Sequence, residues 1–122
     1  MNIGIYNFKT LKLSEINKII FETDLNIDEV FIYTENTTKE RIEQRKGLEK
    51  IIEDYKKGVI DVIVFEKSSS LGTSDFTKSL VIKEFMKNKC RYYCVYNRNR
   101  KKQRISFVYD KAEEEFLNKR KW

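Results

Sequence analysis

A chain of 122 residues has room for one compact domain and not for two ordinary ones. Hydrophobic residues at 40%, with 8 Phe, 7 Tyr and a single Trp, supply enough burial to exclude a chain disordered by composition. No apolar run approaches the ~20 residues of a membrane span, and no basic stretch followed by an apolar one opens the chain, so a cytoplasmic protein without membrane partners is expected.

Taken in order, "MNIGIYNF" (1–8) alternates Ile3 and Ile5 as a strand does. "LSEINKIIFE" comes next with Leu13, Ile16, Ile19 and Ile20 at helical spacing and Ser14 as its cap. "DEVFIYT" (28–34) is a second strand. Thr37 with Glu40 then forms a capping box for a helix whose apolar face is Leu48, Ile51, Ile52 and Tyr55, with Gly58 as its stop. "DVIVF" (61–65) is apolar without alternation, the mark of a strand covered on both faces. Ser74 or Asp75 caps a third helix carrying Phe76, Leu80, Val81 and Phe85 and ending near Asn88, and "RYYCVY" (91–96) is the fourth strand.

The alternation predicts an α/β fold, a single three-layer domain with a mostly parallel central sheet of four to five strands. Residues 1–96 make the main body. Residues 97–122 add a basic turn, a final strand at "RISFVY" (104–109) and a short terminal helix packed on the same domain, with acids early and bases late as a helix dipole prefers.

Cys90 and Cys94, in a chain with no histidine, make a poor zinc site. On a strand they stand roughly 13 Å apart, too far for a disulfide, so structural thiols and no metal are expected. The net charge of +6 is concentrated in "NRNRKKQR" (97–104), where Arg98, Arg100, Lys101, Lys102 and Arg104 stand without an acid. Such a run attracts phosphates by counterion release, or is a solvated hairpin tip.

In open parallel sheets the chemistry collects beyond the carboxyl ends of the strands. Here those ends are "YNFKT" (6–10), "TENTT" (34–38), "EKSSSLGTS" (66–74) and "YNRNR" (96–100). None is a glycine-rich phosphate loop, so no nucleotide cofactor is expected. Without histidine a Ser-His-Asp or Cys-His arrangement is impossible, and Thr10 and Ser68 to Ser70 have no evident general base.

The order "YNFKT", "RKGL" (45–48), "DVIVFEK" and "SSLGTS" (69–74) over residues 1–96 resembles the catalytic domain of serine recombinases, the resolvase/invertase family. That family reads Y-x-R-x-S after its first strand, R-P-G-L in its second helix and D-R-L-x-R-S after its third strand. The resemblance places Tyr6, Arg45, Gly47, Leu48, Leu71 and Ser74 at matching positions. It also implies that Thr10 stands where the attacking serine would be and Phe8 where the first arginine would be. Ser69 and Ser70 replace the Asp-Arg pair, and Thr73 the last arginine. Only Arg45 is retained among the arginines. Its alternative reading is an exposed helix residue paired with Glu49 at i,i+4. The family's long dimerisation helix and helix-turn-helix domain have no counterpart here, and an unrelated flavodoxin-like domain is the alternative to the resemblance.

Loss of one electrostatic donor typically costs about 3–4 kcal/mol of transition-state stabilisation, so a site that has lost three cationic groups is expected not to cleave DNA. Lys9 and Lys67 replace charge but not the guanidinium fork. The resemblance therefore implies a non-enzymatic, resolvase-like interaction or regulatory module, linked to DNA recombination or mobile-element biology. Its expected partners are DNA, a true recombinase or other DNA-processing protein, or a second copy of itself. Two alternatives stand beside it. One is a weakly specific nucleic-acid binder using segment 97–104, with Tyr96 and Trp122 as stacking surfaces. The other is an enzyme using Thr10, Lys67 and Glu66 for phosphoryl transfer or hydrolysis.

Overall fold

The computed structural model describes residues 1–35 and 44–96. They form β1 (Asn2–Asn7), α1 (Leu13–Thr23), β2 (Glu29–Thr34), α2 (Lys46–Lys56), β3 (Val62–Phe65), a one-turn 3-10 segment (Ser68–Leu71), α3 (Asp75–Lys87) and β4 (Tyr92–Cys94). The strands make one all-parallel sheet in the order β2-β1-β3-β4. Each is joined to the next through a helix, as parallel neighbours require. The α/β class and the parallel sheet agree with the sequence pattern. The fifth strand, the terminal helix, the basic turn and the Thr37–Glu40 capping box lie outside the described residues.

The chain steps from β1 outward to β2, then returns past β1 to β3 and on to β4. Right-handed crossovers in opposite directions place α1 on one face and α2 with α3 on the other. Side-chain alternation sorts the core accordingly. Tyr6, Tyr33, Ile63, Phe65 and Tyr92 pack with Leu48 and Ile51 of α2 and Val81 and Phe85 of α3. Ile3, Ile5, Val62, Val64 and Tyr93 pack with Ile19 of α1. β3 is at most 2% exposed along its length, which explains its unbroken apolar run. Gly4 of β1 is held small by packing: a Cβ there would stand 2.7 Å from Ile60 Cδ1 and 2.9 Å from the Tyr33 ring.

Three local expectations are corrected. α1 begins after an extended Lys12, two residues before the predicted cap Ser14, because the Glu15 carboxylate accepts the Lys12 N–H (2.9 Å) and the Lys12 carbonyl accepts from Ile16. Leu13 therefore lies in the first turn and is 73% exposed. Arg45 is extended, at φ −90° and ψ 97°, so α2 starts at Lys46 and the arginine precedes the helix. In α3 the buried line is Thr77, Val81 and Phe85, and Phe76 points to solvent. Ser74 is the cap, its hydroxyl accepting the Thr77 N–H at 3.1 Å. Asn88 and Gly58 end their helices where expected, Gly58 at φ +79° with open space around it.

Both thiols are buried and in no disulfide among the described residues, and burial pushes Cys94 up to about 11. The thiolate, not the thiol, attacks a disulfide reagent. Neither cysteine is therefore expected to react with an aromatic disulfide reagent at pH 8 on a minutes timescale in the native protein, while both react at once in denaturant, which absorbance at release of the reagent's thiolate will check.

Candidate functional site

The strand order reverses between β1 and β3, and at their carboxyl ends lies the crevice that such a switch point opens. The Phe8 N–H donates to the Ser70 carbonyl (2.7 Å), tying the loop after β1 to the 3-10 turn after β3. Between them is a cavity of about 450 Å³ lined by Phe8, Lys9, Thr10, Glu66, Lys67, Ser69, Ser70, Thr73 and Lys78. Of the positions matched to the recombinase site, Phe8, Thr10, Ser69, Ser70 and Thr73 thus meet at one place. Arg45 and Leu48 line instead a groove of about 960 Å³ between α2 and α3, and Tyr6, Gly47, Leu71 and Ser74 do not line the cavity.

Arg45 is 1% exposed and is the largest fully buried side chain among the described residues. Pairing with Glu49 as an exposed helix residue is therefore overturned. Its Nη1 donates to the Leu71 carbonyl (2.5 Å) and, more weakly, to the Tyr6 hydroxyl (3.4 Å). Its guanidinium lies 4.4 Å from the centre of the Phe8 ring, within cation–π range. Phe8 is thus the cover of Arg45.

Beneath Arg45 sits a group that the sequence pattern does not single out. Glu35, only 5% exposed, comes directly after β2. Its carboxylate accepts the Gly47 N–H (2.8 Å), the Leu48 N–H (2.9 Å) and the Tyr6 O–H (2.6 Å). It satisfies two donors of the first turn of α2 from outside the helix and adds a negative charge at the positive end of the dipole. Burial first, and the Glu35 carboxylate second, push the Tyr6 phenol far above its usual range, so it remains a donor. Gly47 is obligatory here: a Cβ would stand 2.7 Å from the Thr34 carbonyl and 2.9 Å from the Glu35 carboxylate. Its place in "TENTT", one residue beyond a strand, is the only signal in the sequence that points to Glu35.

The remaining rim residues divide between structure and solvent. Ser70 is buried, and its hydroxyl accepts the Lys67 N–H at 3.3 Å, closing the turn. Thr10, Ser69 and Thr73 are exposed. Among the described residues, no carboxylate or amine lies within hydrogen-bonding distance of the Thr10 or Ser69 hydroxyl to act as a base. Lys67 stands 4.0 Å from Glu66 and Lys78 3.8 Å from Asp75, so two of the three lysines around the cavity have carboxylates beside them. Sequence spacing does not point to Lys78; it enters because α3 runs back from the rim. Tyr96 is half-buried with Lys18 Nζ 5.5 Å from its ring centre, so one ring face is already engaged. The candidates Arg98, Arg100, Lys101, Lys102, Arg104 and Trp122 lie outside the described residues. Among the described residues no group of three or more His, Cys, Asp or Glu could hold a metal ion, and no helix is long and apolar enough to cross a membrane.

Set against protein-family models, curated proteins and solved structures, the chain matches none.

Two substitutions test the carboxylate clamp. Gly47→Ala is expected to cost about 1–3 kcal/mol by overpacking, and Glu35→Gln about 2 kcal/mol by weakening charge-assisted bonds to buried donors. Urea unfolding of each variant checks this, and wild-type midpoints for both would refute the clamp.

Proposed function

We propose that the protein is a resolvase-like module that acts by contact and not by turnover, serving as an interaction or regulatory element in DNA recombination or mobile-element biology. The observation that carries this reading is the position of Arg45. The one guanidinium kept from the family pattern is under Phe8, on the Leu71 carbonyl, and not among the residues lining the cavity that holds Thr10. Among the described residues lining that cavity the cations are lysines. An ammonium is a point charge and lacks the planar fork that holds a phosphate in a displacement geometry. Among the described residues, Thr10 and Ser69 have no base within hydrogen-bonding distance to raise their nucleophilicity. The preserved order of motifs, the parallel sheet and the obligatory glycine support a scaffold retained while its chemistry was lost.

The test is incubation of the protein with supercoiled and linear duplex DNA, followed by denaturing electrophoresis for nicks and for protein-linked strands. Neither is expected at stoichiometric protein. A covalent adduct mapping to Thr10 would overturn the reading, and loss of any nicking in Thr10→Ala would assign it to the alternative enzyme built on Thr10, Lys67 and Glu66.

A second reading, direct but weakly specific nucleic-acid binding, is favoured by one observation. The basic run begins immediately after Tyr96, whose N–H is bonded to the Glu66 carbonyl (2.8 Å) at the rim where Lys9, Lys67 and Lys78 gather. Each phosphate neutralised on duplex DNA contributes about 0.9 to the slope of log K against log salt. Neutralising Arg98, Arg100, Lys101, Lys102 and Arg104 together is expected to flatten that slope by several units in a fluorescence-anisotropy titration; unchanged affinity would remove the segment from the interface.

A further inference from the structure

β2 lies at the edge of the sheet. A strand turns the N–H and C=O of alternate residues to one side and then the other, so an edge strand leaves half its main-chain groups facing outward. Among the described residues nothing donates to or accepts from those of β2. Proteins that keep an edge apart from other chains shorten it, bulge it, or place lysine or proline on it. β2 does none of these. At six residues it equals β1 and exceeds β3 and β4, its register against β1 is unbroken from Glu29 to Thr34, and "EVFIYT" carries one charge, at its first residue. Ile32, in its middle, is 41% exposed. Main-chain groups in this alternation are matched by another extended chain, so the occupant is a strand.

The charges beside the edge say which strand. Side chains alternate, so Glu29 shares a face with Phe31 and Tyr33, which pack toward α2. Glu29 is exposed, and among the described residues no cation pairs with it. At the other end of β2 stands Lys46, next to the Gly47 that packs against the Thr34 carbonyl. Lys46 begins a line with Lys50 and Asp54 along the flank of α2 that reaches β2, where the Tyr33 hydroxyl donates to Asp54 (2.7 Å). The groove to α3 lies on the other flank, along Glu49 and Glu53. Lys50 is paired with Asp54 (3.3 Å), whereas Lys46 is exposed and meets no carboxylate among the described residues. The edge is thus acidic at its start and basic at its end. A second copy running antiparallel brings each Glu29 to the Lys46 end of the other and keeps the two Glu29 carboxylates apart.

We infer that β2 is the self-association edge of this protein: two copies join edge to edge, antiparallel about a two-fold axis near the middle of the strand, into one continuous sheet. The outward main-chain groups of each β2 are filled by the other, Ile32 is covered, and Glu29 of each copy meets Lys46 of the other. A contact that uses the same edge on both copies closes on itself, so assembly stops at the dimer. One pair of short strands is a small interface, and the dimer belongs with weak, concentration-dependent assemblies. This deepens the interaction-module reading and rests on it only for its purpose, because the edge of the sheet is independent of what the rim does.

The experiment uses the full chain. Sedimentation equilibrium is expected to show monomer and dimer in exchange, and amide hydrogen exchange to slow at alternate residues of β2 as concentration rises. Ile32→Lys puts a charge at an exposed edge position and is expected to weaken the dimer about tenfold or more, with circular dichroism showing the fold kept. Glu29→Lys and Lys46→Glu each bring like charges together and are expected to weaken self-association a few-fold. Mixed with one another, these two variants place opposite charges at both contacts and are expected to form a heterodimer more tightly than either pairs with itself. A chain that sediments as a monomer throughout overturns the inference. So does a dimer whose β2 amides exchange as fast as the monomer's, or a mixture of the two charge variants that associates no better than each alone. Any of these results leaves the non-catalytic reading standing, whereas a DNA adduct at Thr10 would remove that reading and leave the dimer.

Discussion

A carboxylate placed at the mouth of a helix organises the functional end of this protein. Glu35 leaves the end of β2 and receives the first N–H groups of α2, and through Tyr6 it is joined to Arg45. A buried carboxylate is tolerated only when its oxygens are filled, and a buried guanidinium only when its charge is answered. Here three donors fill the Glu35 oxygens, and the guanidinium shares the cluster through the Tyr6 hydroxyl. Gly47 provides the space, the Leu71 carbonyl takes one guanidinium nitrogen, and the Phe8 ring covers the cation. β1, β2, α2 and the turn after β3 are thereby fixed to one another at the rim of the sheet.

That arrangement bears directly on what the crevice can do. The arginine is tied to the fold through Nη1, on a main-chain carbonyl and a phenol, and through the aromatic ring over its guanidinium. To reach a phosphate in the neighbouring cavity it would have to leave the Leu71 carbonyl and come out from under Phe8, uncovering a buried carboxylate network. The cavity itself holds hydroxyls, ammonium groups and the Glu66 and Glu15 carboxylates. Phe8 links the two: it lines the cavity and closes over the cation that the fold holds.

Much of the fold is legible in the sequence because the patterns are strong. β3 announces itself as a strand covered on both sides, the crossovers follow from alternating strands and helices, and Ser74 and Gly58 mark helix ends by their own chemistry. Helix starts are less legible where no hydroxyl or amide supplies the cap. α1 is closed by Glu15 reaching back to Lys12, and α2 by Glu35 from outside the helix, a partnership with Gly47 across twelve residues that no local spacing reveals. The rim is legible as a place, since strand ends are countable. What Arg45 does there is not, because an arginine before a helix reads equally as surface or as core until its neighbours in space are known. Periodicity alone assigns Phe76 and Leu13 to the core. Both lie in the first turn of their helices and are exposed, Phe76 about 100° round from the buried line of Thr77, Val81 and Phe85.

The central claim, that Arg45 belongs to the scaffold and not to the crevice, is tested most directly by following its guanidinium Nε–H signal by nitrogen-resolved NMR while inorganic phosphate or a short DNA duplex is added. A buried, committed guanidinium predicts a signal that exchanges slowly with solvent and keeps its position at saturating ligand. An Arg45 signal that exchanges rapidly with solvent, or that shifts in step with occupancy of the crevice, would contradict the account.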